Sequence, residues 1–504
     1  MRRVALLLLL SFHLGGCIPR HRVERTIRTP AELQMLDSRS EYLKVHMRDG
    51  SLLVLQKWAR LPDTSAIEGR GVRLDVLRDT VERGQLRAPI DSVLLFETNV
   101  LRTPTVPALL TLFTAVTGGI AIYCATTSKA CFGSCPTFYA GDQARIVAEG
   151  FSASIAPALE ATDVDRIEID PVHAGRFDLR MTNEAYETHV IRSVRLLAFP
   201  AQPGEEVYSS GSGFWRVSEP IAPRCSAAEG SCTDAVAAAD GVERYSVTDS
   251  ADLAARELLE LTFPVAEAGD YALIITSRQT LVHTFVLYQT LAYLGTRAGE
   301  FIASLSRGDS RHMRAVLDLG RTMGGIEIGR PDGNDFLATL YETGPLATDS
   351  HLVLLGPLSA GEHSLEIRMA RGHWRIDRIA LARVIAPVEP VVLLPRKLVR
   401  NSTADTAALR DLVTGRQPLV SLPGDEFRIA FDVPAAQHGH TLFLESRGYY
   451  LEWMRAGWLR EEDAAKADMM LHSPAAGLKA LAPAFKQWEP RMEQLFWSSR
   501  YVRQ

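Results

Sequence analysis

The sequence predicts a mainly β, multidomain protein: a small barrel and β-sandwich units, with one hydrophobic helix and a helical C-terminal region. Three observations carry that prediction. Short runs rich in Val, Ile, Leu, Tyr and Phe alternate with Gly, Pro and Asp-Gly turns through most of 41–440, the pattern of antiparallel strands. One uncharged stretch, 103–128, interrupts them, and four of the seven tryptophans lie beyond residue 450 at spacings that suit helices. A chain of 504 residues exceeds what one core serves, so three or four packed units are expected. Apolar residues at 46% and charged residues at 23% are ordinary globular values. Net charge is −5 with interspersed signs, which offers no basic face to nucleic acid and excludes that class of partner.

The N-terminus has Arg2 and Arg3, an apolar run from Val4 to Leu10, then Leu14-Gly15-Gly16-Cys17. Charged, apolar and small-residue parts in that order form an export signal. Its end resembles the lipobox of bacterial lipoproteins. The resemblance implies cleavage of 1–16, lipidation of Cys17 and a multiply acylated anchor, and two or three acyl chains hold nearly permanently. Ile18 follows Cys17, and by the family's sorting rule the expected location is the outer membrane, periplasmic face.

Residues 17–40 read as lipidated Cys and tether, without apolar periodicity. From 41 to 102, runs at Tyr42–Met47, Leu52–Leu55, Val72–Leu77 and Ile90–Glu97 suggest a small SH3-like β-barrel. The 103–128 segment is nearly long enough to cross a bilayer but carries threonines and Gly118-Gly119, so a buried helix and a transmembrane one both fit.

Residues 129–257 read as β-rich with two cysteine pairs. Cys225 and Cys232 bracket a small polar loop that a disulfide would close, as expected of an exported chain. Cys131 and Cys135 form a second local pair, disulfide or thiol, leaving Cys124 over. The acidic run Glu160, Asp163, Asp165 lacks an EF-hand framework and reads as a solvated turn. Residues 258–306 read as a β-hairpin across Ala268-Gly269-Asp270 followed by apolar helices. Leu281, Phe285, Tyr288, Leu291 and Ala292 fall at helical spacing, Gly295 ends the run, and His283 within it reads as a core histidine.

Residues 307–440 read as a jelly-roll-like sandwich with strands at Val316–Leu319, Gly324–Gly329, Leu337–Tyr341, Leu352–Leu355, Ser364–Met369 and Trp374–Val384. The last two resemble the closing strands of galactose-binding-like jelly rolls. That resemblance makes Asn334, Phe336, His373 and Trp374 candidate sugar contacts, since a pyranose face stacks on an aromatic ring; Trp374 as core is the competing reading. Residues 441–504 read as a helical, Trp-rich cap, with Tyr449, Trp453 and Trp458 along one helix.

No nucleophile elbow, P-loop or spaced Cys/His zinc pattern is present, so no catalytic residue, metal or cofactor is expected. Cys131-Phe-Gly-Ser-Cys135-Pro136 has the spacing of the thiol pair in copper chaperones for cytochrome oxidase assembly, whose two soft thiolates suit Cu(I). No thioredoxin-like βαβ pattern surrounds it, and no histidine lies between His189 and His283 to serve as distant ligand. Taken whole, the chain resembles uncharacterised Gram-negative lipoproteins sharing the segments here at 131–139 and 444–454, a resemblance that implies no activity. The expected role is non-enzymatic: scaffolding or binding at the envelope, with the membrane and an envelope protein or glycan as partners. Carbohydrate or peptidoglycan binding and thiol or copper handling are the alternatives.

Overall fold

The computed structural model describes residues 22–61, 65–75, 80–102, 135–140, 146–211, 213–331, 336–341, 344–453 and 456–498. Cys17, the 103–128 segment, Cys124, Cys131 and Asn334 lie outside them. The chain divides into two compact units, Met1–Gly118 and Gly119–Gln504. Both are built mainly of strands, as expected.

The first unit is one antiparallel sheet of β1 (Arg22–Arg28), β2 (Tyr42–Met47), β3 (Leu52–Arg60), β4 (Ala66–Leu74), β5 (Thr80–Pro89) and β6 (Val93–Arg102). Its order is β1-β6-β2-β3-β4-β5, with β1 and β5 at the edges, so the expected barrel is an open sheet among the described residues. The expected tether is corrected too. Arg22–Arg28 pairs in register with β6, because an edge strand needs only its backbone groups matched and not an apolar face. Alternation does the rest: Leu43, Val45, Leu53, Leu55, Ile67 and Phe96 face one core.

The second unit is two β-sandwiches, one nested in the other. The outer sandwich starts with β7 (Thr137–Ala140), β8 (Ile146–Glu149), β9 (Ala161–Arg166), β10 (Gly175–Thr182) and β11 (Glu187–Pro200). The chain then leaves it to build the inner sandwich from β12 (Glu205–Ser210), β13 (Gly213–Ile221), β14 (Arg224–Ala227), β15 (Gly230–Ser231), β16 (Arg256–Val265) and β17 (Gly269–Gln279). Helices α1 (Leu281–Leu294), α2 (Ala298–Ser306) and α3 (Ser310–Met323) follow. The inner sandwich closes with β18 (Ile326–Gly329), β19 (Phe336–Leu340), β20 (Asp349–Leu358), β21 (Gly361–Ala370) and β22 (Trp374–Val388). The outer one is then completed by β23 (Val391–Leu393), β24 (Lys397–Arg400), β25 (Thr403–Ala404), α4 (Thr406–Thr414), β26 (Leu419–Ser421), β27 (Glu426–Val433) and β28 (His440–Glu452). Helices α5 (Ala456–Arg460), α6 (Ala464–His472) and α7 (Pro474–Ser498) end the described chain.

The outer sandwich stacks β25-β24-β27-β10-β7-β8 on β23-β11-β28-β9, around Phe138, Leu179, Ile191, Leu196, Phe427, Phe431 and Leu444. The inner one stacks β15-β14-β16-β21-β18-β19 on a closed five-stranded barrel, β12-β13-β22-β17-β20, around Leu261, Phe263, Leu273, Ile367, Trp374 and Ile379. Two packed β layers are present, but they run from 205 to 388, and the strands after 390 belong to the outer sandwich.

Three further expectations are corrected. The strands flanking Ala268-Gly269-Asp270 are not hairpin partners: β16 pairs β21 and β14, whereas β17 pairs β20 and β22, so the turn crosses from one sheet to the other. Val316–Leu319 lies in helix α3, whose N-terminus is capped by Asp309 and whose Ala315, Leu319 and Met323 share a buried face. His440–Glu452 is a strand and not a helix. It pairs with β11 along its whole length, and a register shift opposite Ile191–Ser193 lets Gly448 approach β11 closely. The helical region proper begins at Ala456. It packs with α1–α3 through Leu281, Phe285, Leu319, Met470, Leu481 and Phe485. Among the described residues no helix is long and apolar enough to cross a membrane.

Candidate functional site

Residues 135–139 and 444–453, distant in sequence, meet inside the outer sandwich. Phe138 of β7 and Leu444 of β28 share its core, and buried Cys135, 7% exposed, lies near enough to Tyr450 to act on its phenol. Strand pairing dictates what else gathers there. In the β11–β28 ladder, His189 faces Tyr450 and Glu187 faces Glu452. Glu187 and His189 are two apart, so period-two alternation puts both on one face, where each side chain is 0% exposed and Oε1 lies 2.8 Å from Nε2. Tyr288 of α1 donates its hydroxyl to Glu452. Tyr450 donates to the Ser152 carbonyl at 2.9 Å, and Trp453 Nε1 donates to Thr188 Oγ1 at 2.9 Å. Nearby, Tyr139 donates to Glu184 Oε1 at 2.6 Å, and the Arg180 guanidinium stands 4.0 Å over the Tyr139 ring.

Burial of several carboxylates together is costly unless each holds a proton or a partner. Two glutamates directly opposite on neighbouring strands would otherwise repel. The cluster meets that cost with the hydrogen bonds from His189, Tyr288 and Tyr139 to its carboxylates. Burial, reinforced by Cys135, Tyr288, Glu187 and Glu452, pushes Tyr450 well above the ordinary phenol range, so it remains a hydrogen-bond donor and not a nucleophile.

A second polar concentration lies where the outer sandwich meets the barrel layer of the inner one. A cavity of about 160 Å³ is lined by Ile146, Val147, Glu168, Glu243, Arg278, Leu346, Ala347 and Thr348. Its charges are paired: Arg278 donates to Glu243 at 2.7 Å, Arg375 reaches Glu243 at 3.2 Å, and Arg166 binds Glu168. Ser350 Oγ donates to the other Glu168 oxygen at 2.8 Å. Beside it, Asp349 accepts from the Ser350 amide at 2.7 Å and lies 3.2 Å from His351. Asp163 accepts from the Phe151 and Val164 amides at 2.8 and 3.0 Å. Burial and then the Asp349 charge push Asp163 up to about 6. Glu206 moves the other way, because hydrogen bonds from Arg378 and Tyr208 and the nearby guanidinium charges outweigh its burial. The acidic run thus leads into the half-buried edge strand β9, with Asp165 buried in it, and is not a solvated turn. Among the described residues no three His, Cys, Asp or Glu side chains are placed to hold a metal.

The Cys225–Cys232 disulfide is formed, with S–S 2.02 Å. Cys135 is buried and its partner in the motif, Cys131, lies outside the described residues. The four candidate sugar contacts do not form one face. Phe336 is 45% exposed on edge strand β19 beneath Arg368, whereas His373 and Trp374 are 0% and 1% exposed inside the inner sandwich and its helical joint. Asn334 lies outside the described residues. Trp374 is core, which weakens the glycan reading. Sequence reasoning missed Glu187, His189, Tyr288 and Glu452. The available signal was Glu187-Thr-His189 opening a strand whose other polar residues, Arg192, Ser193 and Arg195, come later, charges spaced to share its inner face.

No family model matches the chain, and no curated protein matches it. Among solved structures, the chain is similar to the cryo-EM structure of arabinofuranosyltransferase AftD from Mycobacteria, at 10% identity and TM-score 0.17, over 86% of this chain and 36% of that one. A mutant of the same enzyme gives 12% identity and TM-score 0.16, over 87% of this chain and 32% of that one. The chain thus spans about a third of that enzyme's length.

Proposed function

We propose that this is an exported, lipid-anchored protein of the bacterial envelope, held at the membrane through Cys17, with a non-enzymatic binding or scaffolding role. The observation that supports this best is the closed Cys225–Cys232 bridge, since structural disulfides persist in oxidising compartments such as the periplasm. It agrees with the lipobox at Leu14-Gly15-Gly16-Cys17. A binding role is favoured over catalysis because the cavity beside Glu168 has its charges tied in ion pairs and the buried cluster around Tyr450 keeps its phenol protonated. Neither presents an activated nucleophile.

The test is mass spectrometry of the mature N-terminus together with density-gradient separation of the two membranes. The expected result is an acylated Cys17 as first residue and sedimentation with the outer membrane, lost in Cys17→Ala. An unmodified Cys17, or a wild-type protein in the soluble fraction, would overturn the proposal.

A further inference from the structure

Two histidines from distant parts of the chain meet at the joint between the inner sandwich and the helical region. His283 stands in the first turn of α1, and His373 in the turn that joins β21 to β22. Their ring centroids are 4.8 Å apart at 79°, and Trp374 lies 5.8 Å from His283, again edge to face. Among the described residues, Nδ1 of His283 and Nε1 of Trp374 are sealed from solvent with no hydrogen-bond partner, and the fully buried His373 ring lies against the Leu253 backbone without a side-chain partner. Such atoms are rare in a folded interior and mark a place where an ordinary core would be more stable.

The same turn is tied in two directions. Toward α1, the Thr280 amide donates to the His373 carbonyl at 2.9 Å and the Thr280 hydroxyl to the Gly372 carbonyl at 2.7 Å. On the other side, the Gly372 amide donates to Ser246 Oγ at 2.9 Å. Gly372 has φ +75, and a Cβ there would sit 2.5 Å from Thr248 Cγ2, so the strap at 246–248 lies directly on the turn. That strap is held in turn by α7: the Thr248 amide donates to Glu489 at 2.6 Å, and Lys486 donates to the Thr248 carbonyl at 2.8 Å. The histidine pair is thus linked by a continuous set of bonds to the C-terminal helix.

We propose that His283 and His373 form an acid-operated joint: neutral rings lock the C-terminal helix α7 onto the inner sandwich, and protonation of the pair loosens it. The groups acting on the rings all oppose a positive charge, apart from one backbone group. His373 meets burial, His283 and Arg256 of β16, with the Leu253 backbone alone favouring the proton. His283 is held down by burial, to about 4. Among the described residues no carboxylate acts on either ring, and the nearest acidic group in the linkage, Glu489, is spent on Thr248 and Lys486. A histidine released from the joint returns to its ordinary value near 6.5. The released state therefore takes up more protons, so the joint is fully stable above that value and weakens as pH falls toward 4. At pH 5, His283 alone shifts the equilibrium about thirtyfold toward release. This inference does not depend on the anchor at Cys17.

The experiment is hydrogen exchange on the full chain in detergent at pH 7.5 and pH 5.0, corrected for intrinsic rates and read over α7 and residues 246–248. Protection of both segments is expected to fall at least tenfold at pH 5.0, and His283→Phe to make that fall smaller by up to the thirtyfold that His283 contributes. Unchanged protection in the wild type, or a full acid response in His283→Phe, would overturn the proposal. Should the variant not fold, imidazole NMR of the wild type decides: both rings are expected to titrate below 5.5, and titration near 6.5 would overturn it.

Discussion

Removing the Cys225–Cys232 bridge tests whether the edge of the inner sandwich is held by covalent constraint or by packing. The cysteines are seven positions apart, so the closed loop is short. Loop-closure entropy for such a loop gives about 2.5 kcal/mol of stabilisation. Other bonds in the β14–β15 hairpin remain after reduction: the Cys232 amide donates to the Cys225 carbonyl at 2.9 Å, and the Cys225 amide to Thr233 Oγ1 at 2.9 Å. These close the turn but do not tie it to the body of the sheet, which β14 reaches through β16 at Cys225–Leu261. Both sulfurs also lie in the core beside Leu261 and Phe263, so Cys225→Ala with Cys232→Ala adds a packing loss of about 1 kcal/mol to the lost constraint. Wild-type protein with and without reductant isolates the constraint alone. The assay is amide exchange in β16 between Leu259 and Phe263. Reduction is expected to speed it between about tenfold and a hundredfold, the ratio that corresponds to 2.5 kcal/mol. Acceleration below twofold would show that the hairpin's own bonds suffice and that the entropic reasoning fails here.

Asp163→Asn is expected to change the pH dependence of stability with a definite sign. Asp163 sits at about 6 in the fold against 3.8 when unfolded, so its proton stabilises the fold below 3.8, an advantage lost as pH rises through 6. Wild-type stability minus that of the variant, from urea midpoints, should therefore fall by about 1–3 kcal/mol between pH 4.5 and pH 7.5, and a flat difference would refute the assignment. Gly448→Ala should destabilise the outer sandwich by about 1–3 kcal/mol, because its Cβ would lie 2.3 Å from the Val190 carbonyl oxygen and 2.8 Å from the Phe151 ring. Thermal unfolding compared with Gly211→Ala, where nothing lies within 4 Å, provides the check.

The elements legible in the sequence are those whose local signals agree with their surroundings. Helix α1 runs from the Thr280 cap to Gly295 as its spacing requires, and Cys225 with Cys232 forms the bridge their loop invites. Errors arose where two periodicities compete. Val316-Leu-Asp-Leu319 alternates like a strand, yet it continues the buried face set by Ala315 and Met323 behind an Asp309 cap. Tyr449 and Trp453 are spaced as on a helix, but pairing with β11 decides the matter, and no local pattern reports a partner more than two hundred residues away. The polar cluster was hidden for the same reason: Glu187, Tyr288 and Glu452 become neighbours only through the ladder and through α1.

The interruption of one sandwich by another fixes an order of assembly. As the chain is synthesised N-terminus first, β7 to β11 appear early, yet the strands that cover them, β24, β27 and β28, arrive about two hundred residues later. The half-built outer layer must wait, with the inner faces of β10 and β11 uncovered, until the inserted module has matured and the tail has threaded back. Slow, long-range closure of that kind leaves unpaired strand edges open to misassociation. Until the tail returns, Leu179, Met181, Ile191 and Val194, all buried in the finished sandwich, have nothing to pack against.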